Sequence, residues 1–511
     1  MGAYSFFLFH DYEKNIILFF IFYSISLSAQ KHDYTWITGY GNTFPKFGNT
    51  DIDFNKNPPS VTYVTRDINF RWNDASISDE NGRFLFATNG CTIIGKNNQT
   101  IKNGAGLNPG KVSDTYCKNG NLQTQGSLFL PAFKDTSKYY LFHLGADVVQ
   151  KNDLGGIGLN LYYTLLDKTG DNGNGEVLSK NNLIVQDTFA FGTMTAVKHG
   201  NGKDWWIIIP RMLQNKYMKL LFTPEKIHEP VYQNIGNVNQ DDNGTGQAVF
   251  SPDGSKYINF DRYNDLRIFD FDRCSGNLSN FKHIVLPIKN KADSAYIGGV
   301  AVSPNSRYLY VTTLYKVFQY DLLAKSIENS IVKVAEYDNF RDTTTSGKWQ
   351  TTFYLSHIAP NGKIYINCAT SVSFMHTIHE PDKADLACNL IQHDFKLKSL
   401  NSNSIPNFPN FRLGKLKNSI CDTLTGSSDV DNERAFSIYP NPTNDILHIS
   451  SSVDFNKNYT VFISNSIGQI ILKTTLKENS IDVSRIAKGF YTVSIFKEVK
   501  TVGKRKFVKM D

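Results

Sequence analysis

The sequence contains no CxxC pair, no GxSxG elbow and no GxxxxGK[ST] loop, and it is poor in charge. Its six cysteines, Cys91, Cys117, Cys274, Cys368, Cys388 and Cys421, stand far apart, which excludes zinc-ribbon and thioredoxin-type chemistry. Without the elbow or the phosphate loop, the serine-hydrolase and nucleotide-hydrolase signatures are absent too. Charged residues make up 20% of the chain, against 41% hydrophobic and 13% aromatic. The net charge is +7, but Ser437–Asp511 holds eleven Lys and Arg against six Asp and Glu. The remaining 436 residues therefore carry only about +2, and a nucleic-acid partner, which needs basic charge gathered on the main surface, is excluded.

What is present begins with an apolar run, Ile16 to Leu27, behind Lys14 and Asn15 and ending in Ser28-Ala29-Gln30. This pattern predicts a signal peptide over 1–29, cleaved after Ala29. The run falls short of the roughly 20 apolar residues of a membrane span; an uncleaved anchor is the alternative. Asp11 and Glu13 suit a signal poorly and point to a start further in, and no cysteine follows the run to carry a lipid. An exported chain can form disulfides. Cys91–Cys117 and Cys388–Cys421 are the local pairings, with free buried thiols as the alternative.

Abundant Tyr, Phe, Asn and Gly suit a β-rich protein. A turn element recurs between short apolar runs: Asp79–Gly82, Lys134–Ser137, His199–Gly202, Ser251–Gly254, Ser303–Ser306 and Ala359–Gly362, in steps of 52 to 65 residues. Pro presets one corner, Asp or Asn bonds the backbone, and Gly accepts positive φ. Units of about 56 residues with three or four strands predict propeller blades, which bury their faces only by closing into a ring. Lys31 to Cys421 spans 391 residues, so the fold class expected is all-β, an about seven-bladed β-propeller followed by a small C-terminal β-sandwich. Tyr34–Ile37 and Phe408–Leu413 would share the last blade. Six or eight blades, or an array of β-sandwiches, are the alternatives.

The phrases Ala75–Asp79 with Thr88–Cys91, Leu107–Gly110, Phe269–Gly276 and Ser404–Gly414 resemble exported WD- and Kelch-like propeller proteins of the bacteria that use type IX secretion. That resemblance implies a fold and a location and carries no assigned chemistry. The polar stretch 422–435 reads as a linker between a body at 30–421 and a tail at 436–511. The tail resembles the type IX (Por) secretion C-terminal sorting domain at Tyr439-Pro440-Asn441-Pro442, at the Ser-Ile-Gly-Gln turn with Gly468, at Gly489-Phe490-Tyr491, and at the basic end Lys504-Arg505-Lys506. The resemblance implies that these residues form the sorting signal, that the type IX machinery is a partner, and that the destination is the outer cell surface or beyond, through the periplasm. An appended immunoglobulin-like module is the alternative.

Few residues invite a chemical reading. Asp171–Glu176 and Gln240–Gly244 supply oxygen ligands and are the calcium candidates, although neither fits the twelve-residue loop. His376-Thr377-Ile378-His379-Glu380 places its histidines three apart, which reads as a solvated loop before Pro381. His143 and His357 read as satisfied core histidines. In Trp205-Trp206, Tyr139-Tyr140 and Tyr162-Tyr163 one ring should face the core and one outward, where it could stack on sugar; packing between blades is the plainer reading. Asp74, Asp79 and Asp261 are channel carboxylates by strand position only. No catalytic, cofactor or metal residue is assigned. The expectation is a non-enzymatic binding or adhesion propeller for a glycan or protein, with a polysaccharide- or peptide-degrading hydrolase or lyase as the alternative.

Overall fold

The computed structural model describes residues 30–510 except 42–46, 149–155, 240–245, 288–296, 345–346, 418, 420, 422–435, 451–458, 466–468, 477–478 and 498–499. The signal segment, the second calcium candidate, the linker and Gly468 lie outside the described residues.

Each of the six turn elements closes on one backbone hydrogen bond from its fourth residue or the next. Gly82 donates to Asp79, Lys138 to Asp135, Gly202 to His199, Gly254 to Ser251, Ser306 to Ser303 and Gly362 to Ala359, all at 2.8–3.0 Å. In Ser251–Gly254 the Asp253 carboxylate also accepts from the Ser255 amide at 3.0 Å, and Gly254 stands at φ 74°. Each turn joins the innermost strand of a sheet to the next strand out, so the alternating apolar runs on either side become hairpins.

The body is a ring of seven such sheets. Blade 1 has three strands, Thr35–Gly39, Asn49–Asp53 and Ser60–Val64. Blades 2 to 7 have four each, with innermost strands Ala75–Ser78, Ser127–Pro131, Thr195–Lys198, Gln247–Phe250, Val300–Val302 and Phe353–Ile358. Blades 2 and 3 join at their outer edges through one parallel pairing, Lys102 with Glu176. Both faces of a blade are covered by its neighbours. Trp205 and Trp206 are therefore both buried: Trp205 packs on Phe411 at 5.7 Å, and the Trp206 indole N–H donates to the Arg273 carbonyl at 3.0 Å. The pair follows the plainer reading of packing between blades, and the outward-ring alternative fails because the strand has no solvent face.

Blade 1 closes the ring. The Thr35 amide donates to Ser78 Oγ at 3.1 Å, so its first strand runs opposite to the innermost strand of blade 2. The chain leaving the last strand of blade 7, Leu390–Asn401, returns along the axis as residues 402–412. This segment is extended without a regular ladder. Trp36 fixes it, packing against Phe408, His357, Phe54 and Tyr365 with ring centroids 5.0–6.1 Å apart. The shared last blade expected from both termini is thus formed by side-chain packing and amide bonds.

Inner strands turn an unpaired edge to the axis, and buried backbone groups must be satisfied. Amide side chains do this. Gln125 donates to the Ala248 carbonyl at 2.9 Å and accepts from its amide at 2.7 Å. Gln247 donates to the Ser356 carbonyl at 2.8 Å and accepts from Val300 and Ser356 at 3.1 Å. Asn407 reaches three blades: its amide donates to the Asp74 carbonyl at 2.9 Å, and its side chain donates to Ser127 at 3.0 Å and Met194 at 3.2 Å. Asn407→Ala removes the side-chain donor from two buried carbonyls and one acceptor from Gln125, which keeps its bonds to Ala248, so a loss of about 3 kcal/mol in unfolding free energy is expected. Urea denaturation checks it; a loss below about 1 kcal/mol would show that those carbonyls find other partners.

Beyond Arg412 the chain folds back over blades 4 and 5. The Leu416 amide donates to Gly200 at 2.8 Å. The Arg273 guanidinium donates to the Lys198, His199 and Gly414 carbonyls at 2.9, 3.2 and 2.5 Å. Cys421 then forms a disulfide with Cys274, 147 residues away. A side-chain carbon on Gly200 would stand 2.1 Å from Cys421 Sγ, so the disulfide needs glycine there. Cys91–Cys117 forms as expected. The Cys388–Cys421 pairing is wrong, because the strap carries Cys421 to blade 5 while Cys388 stays buried in blade 7; Cys368 and Cys388 are free thiols.

In the tail, Ser437–Tyr439, Ile446–Ser450 and Ser480–Asp482 form one sheet, and Tyr459–Asn465, Ile470–Thr475, Gly489–Lys497 and Lys500–Lys509 form another. Leu447, Val461, Ile463, Val493, Ile495 and Phe507 fill the core of this sandwich.

Candidate functional site

On the turn face, the ring axis opens into a cavity of about 260 Å³ walled by the inner strands of blades 4 to 7 and by residues 407–412. Its apolar lining includes Val249, Phe250, Val302, Ile358 and Phe408. Its polar lining includes Asp33, His357, Asn410 and Arg412. Asp33, just before the first strand of blade 1, is buried and ion-paired with Arg412 Nη1. Asn410 is aimed by two bonds, Nδ2 to the Pro252 carbonyl at 2.8 Å and Oδ1 from the Arg412 amide at 3.1 Å. His357 packs against Trp36 and Phe408. Burial and the Arg412 charge push its pKa down to about 4, so it is a neutral imidazole at pH 7. The girdle of Gln125 and Asn407 forms the inner end of the cavity.

His357 read as a satisfied core histidine, but it lines a cavity and makes no described hydrogen bond. His143 is a core histidine, bonded to Asn108 at 2.6 Å and Thr164 at 2.9 Å. The solvated loop expected around His376 is instead the strand Val372–Ile378 of blade 7. His376 is buried 3.3 Å from Cys368 Sγ, while His379 bonds Asp394 at 2.7 Å. A spacing of three puts the two rings on opposite faces of the strand.

The channel carboxylates are scattered. Asp79 serves its own turn, accepting from the Asn81 and Arg83 amides at 2.9 Å. Asp261 is buried against Arg267 at 2.9 Å inside blade 5. Asp74, just before the innermost strand of blade 2, lies fully buried and outside the cavity lining. Of the carboxylates, only Asp33 reaches the described cavity, so the pair that glycoside hydrolysis uses is not assembled there. In the first calcium candidate, Glu176 binds Lys102 at 3.0 Å. Among the described residues no group of three or more His, Cys, Asp or Glu is placed to hold a metal.

In the tail, Asn441 joins the opening motif to the basic end. Its Nδ2 donates to the Lys506 carbonyl at 3.0 Å, and its Oδ1 accepts from the Val508 amide at 2.9 Å. The Tyr491 hydroxyl donates to Ala487 at 2.7 Å. Burial lowers Lys504 to about 8, and Arg505 lies 5.2 Å over the Phe436 ring.

Residues 437–510 match the family model described as the secretion system C-terminal sorting domain. The tail therefore marks the protein for type IX secretion, and the protein is exported to the cell surface or released, engaging that machinery through the tail. No curated protein matches the chain. Among solved structures, a functionally unknown protein from Desulfotomaculum acetoxidans is similar at 12% identity, with 73% of this chain and 99% of that chain covered and a TM-score of 0.38. PorZ, a surface component of the type IX system of Porphyromonas gingivalis, is similar at 11% identity over 91% and 73%, with a TM-score of 0.28. A gluconolactonase of Xanthomonas campestris is similar at 10% over 65% and 92%, with a TM-score of 0.31. These likenesses carry no functional argument.

Proposed function

We propose that the ring is a surface-displayed binding module that takes a compact, hydroxyl-bearing ligand such as a terminal sugar residue in the axial cavity, without chemical turnover. The supporting observation is that one cavity is lined by a neutral imidazole, an aimed carboxamide and a guanidinium together with apolar side chains, the composition of a small-ligand site. Apolar side chains take the flat face of a ring, and His357, Asn410 and Arg412 take its hydroxyls. We further propose that residues 30–421 form the binding body and 422–435 a linker. In the tail at 436–511, Pro440, Asn441, Pro442, Gly468, Gly489, Tyr491, Lys504, Arg505 and Lys506 form the sorting signal.

The test is binding of the purified secreted protein to glycan and cell-wall polysaccharide arrays, with and without calcium, while mass spectrometry reads product release in the same wells. Retention without new products is expected, with His357→Phe weakening binding about tenfold, near 1.4 kcal/mol. Product release would replace the binding reading with the hydrolase or lyase alternative. Unchanged binding by His357→Phe would move the site off the axis.

A further inference from the structure

A second cavity, of about 200 Å³, is lined by the turn element of blade 3 and by the turn at 223–226 in blade 4, and it shares no lining residue with the axial one. Its apolar lining includes three aromatic rings. Phe222 is buried, with Phe133 and Tyr140 each at a centroid distance of 4.7 Å. Phe133 and Tyr140 are half-buried and keep part of their surface open. Polar groups come from both turns, and each turn is fixed. In blade 3, Asp135 accepts from the Ser137 amide at 2.9 Å, and Lys138 is ion-paired with Asp167. In blade 4, the Thr223 amide donates to the Lys226 carbonyl at 3.0 Å, and Thr223 Oγ1 accepts from the Glu225 and Lys226 amides at 3.3 and 3.4 Å. Asp135 and Lys138 are thus committed. The side chains of Lys134, Glu225 and Lys226 and the Tyr140 hydroxyl have no hydrogen-bond or ion-pair partner among the described residues.

We propose that this cavity binds an acidic sugar residue, a uronate of an anionic polysaccharide. The half-buried rings take the apolar C–H face of the sugar, and the polar groups around them take its edge. Lys134 and Lys226, one from each turn, receive the carboxylate. Glu225 and the Tyr140 hydroxyl accept from and donate to the ring hydroxyls. Two uncommitted cations against one uncommitted anion favour a charged sugar over a neutral one. An acidic peptide would meet the same charges but lacks a place for its backbone. The strands that carry Tyr140 and Phe222, Lys138–Val148 and Lys216–Phe222, are each paired on both sides, so no free ladder edge is offered to an extended chain. The site stands apart from the axial one and does not rest on the reading given to it.

The purified full-length protein is titrated calorimetrically with trigalacturonate, with maltotriose as the neutral counterpart, and with a hexaglutamate peptide. Trigalacturonate alone is expected to bind. Phe133→Ala, and separately the double variant Lys134→Met with Lys226→Met, should each raise its Kd about tenfold or more, while His357→Phe leaves it unchanged. Both lysines are exposed, so the double variant decides if Phe133→Ala does not fold. No binding of trigalacturonate overturns the proposal, as does binding that the lysine variant leaves intact. Maltotriose bound as tightly would show that the lysines do not select, and hexaglutamate bound as tightly would make the site one for acidic peptides. Loss of binding in His357→Phe would place the acidic sugar on the axis instead.

Discussion

Replacing Cys274 and Cys421 together by serine lowers the unfolding free energy by about 5 kcal/mol, the largest effect of any covalent change in the body. The disulfide closes 147 residues, and in the loop-entropy account its contribution grows with the logarithm of that length. Cys91–Cys117 spans 26 residues and by the same relation contributes about 3.5 kcal/mol. The two double-serine variants should therefore separate in urea, the long-loop variant unfolding first. Free Cys368 and Cys388 are buried and do not complicate the comparison. A loss below about 1 kcal/mol for the long loop would show that the Arg273 bond to Gly414 and the Leu416 bond to Gly200 already confine the strap.

Stability should also fall steeply as pH drops from 6.5 to 5. Burial pushes His143 and His376 down to about 3, and the charge of nearby His393 adds to the effect at His376. In the unfolded chain both take a proton near pH 6.5. Below that pH the unfolded state gains protons that the folded state refuses, so stability is lost from pH 6.5 downward until the folded histidines titrate near 3. Each contributes about 1.4 kcal/mol per pH unit, so the pair alone removes about 4 kcal/mol by pH 5, and His357, held near 4, adds to the loss. His143→Gln, which keeps a polar partner for Asn108 and Thr164, should reduce the slope but not abolish it, the rest coming from His376, from His357 near 4 and from the other histidines that burial lowers, His32, His199 and His228. A flat urea midpoint between pH 7 and pH 5 would show that these rings are protonated in place.

Features carried by local chemistry were legible before any coordinates. The Pro, Asp, Asn and Gly corners marked the hairpins, and their spacing indicated about seven blades. Cys91 and Cys117 are close enough along the chain to pair by proximity, and the tail motif is contiguous. Most of the misses involve distant partners. Nothing near Cys421 points to Cys274, and Asp33 and Arg412 meet only because the ends of the body converge on the axis. Gln125, Gln247 and Asn407 look like ordinary loop polar residues, yet each satisfies an inner-strand edge on another blade. The outward-ring alternative for Trp205–Trp206 applied the period-two rule of a sheet with one wet face to a blade with none. His357 was misread because burial along a strand does not distinguish a core position from a cavity wall.

The strap decides how the body carries mechanical load. Residues 402–412, which seal the ring, end in a chain that continues toward the linker, so tension applied there would be expected to peel the seal from the axis one contact at a time. Cys421 intercepts that tension before it reaches Arg412 and passes it covalently to Cys274 in blade 5. A pull at the C-terminal end of the body then reaches the turn between the paired strands Asp265–Asp272 and Asn277–Ile284 before it reaches the seal. In a reducing environment the same pull would unzip the closure and open the axial cavity.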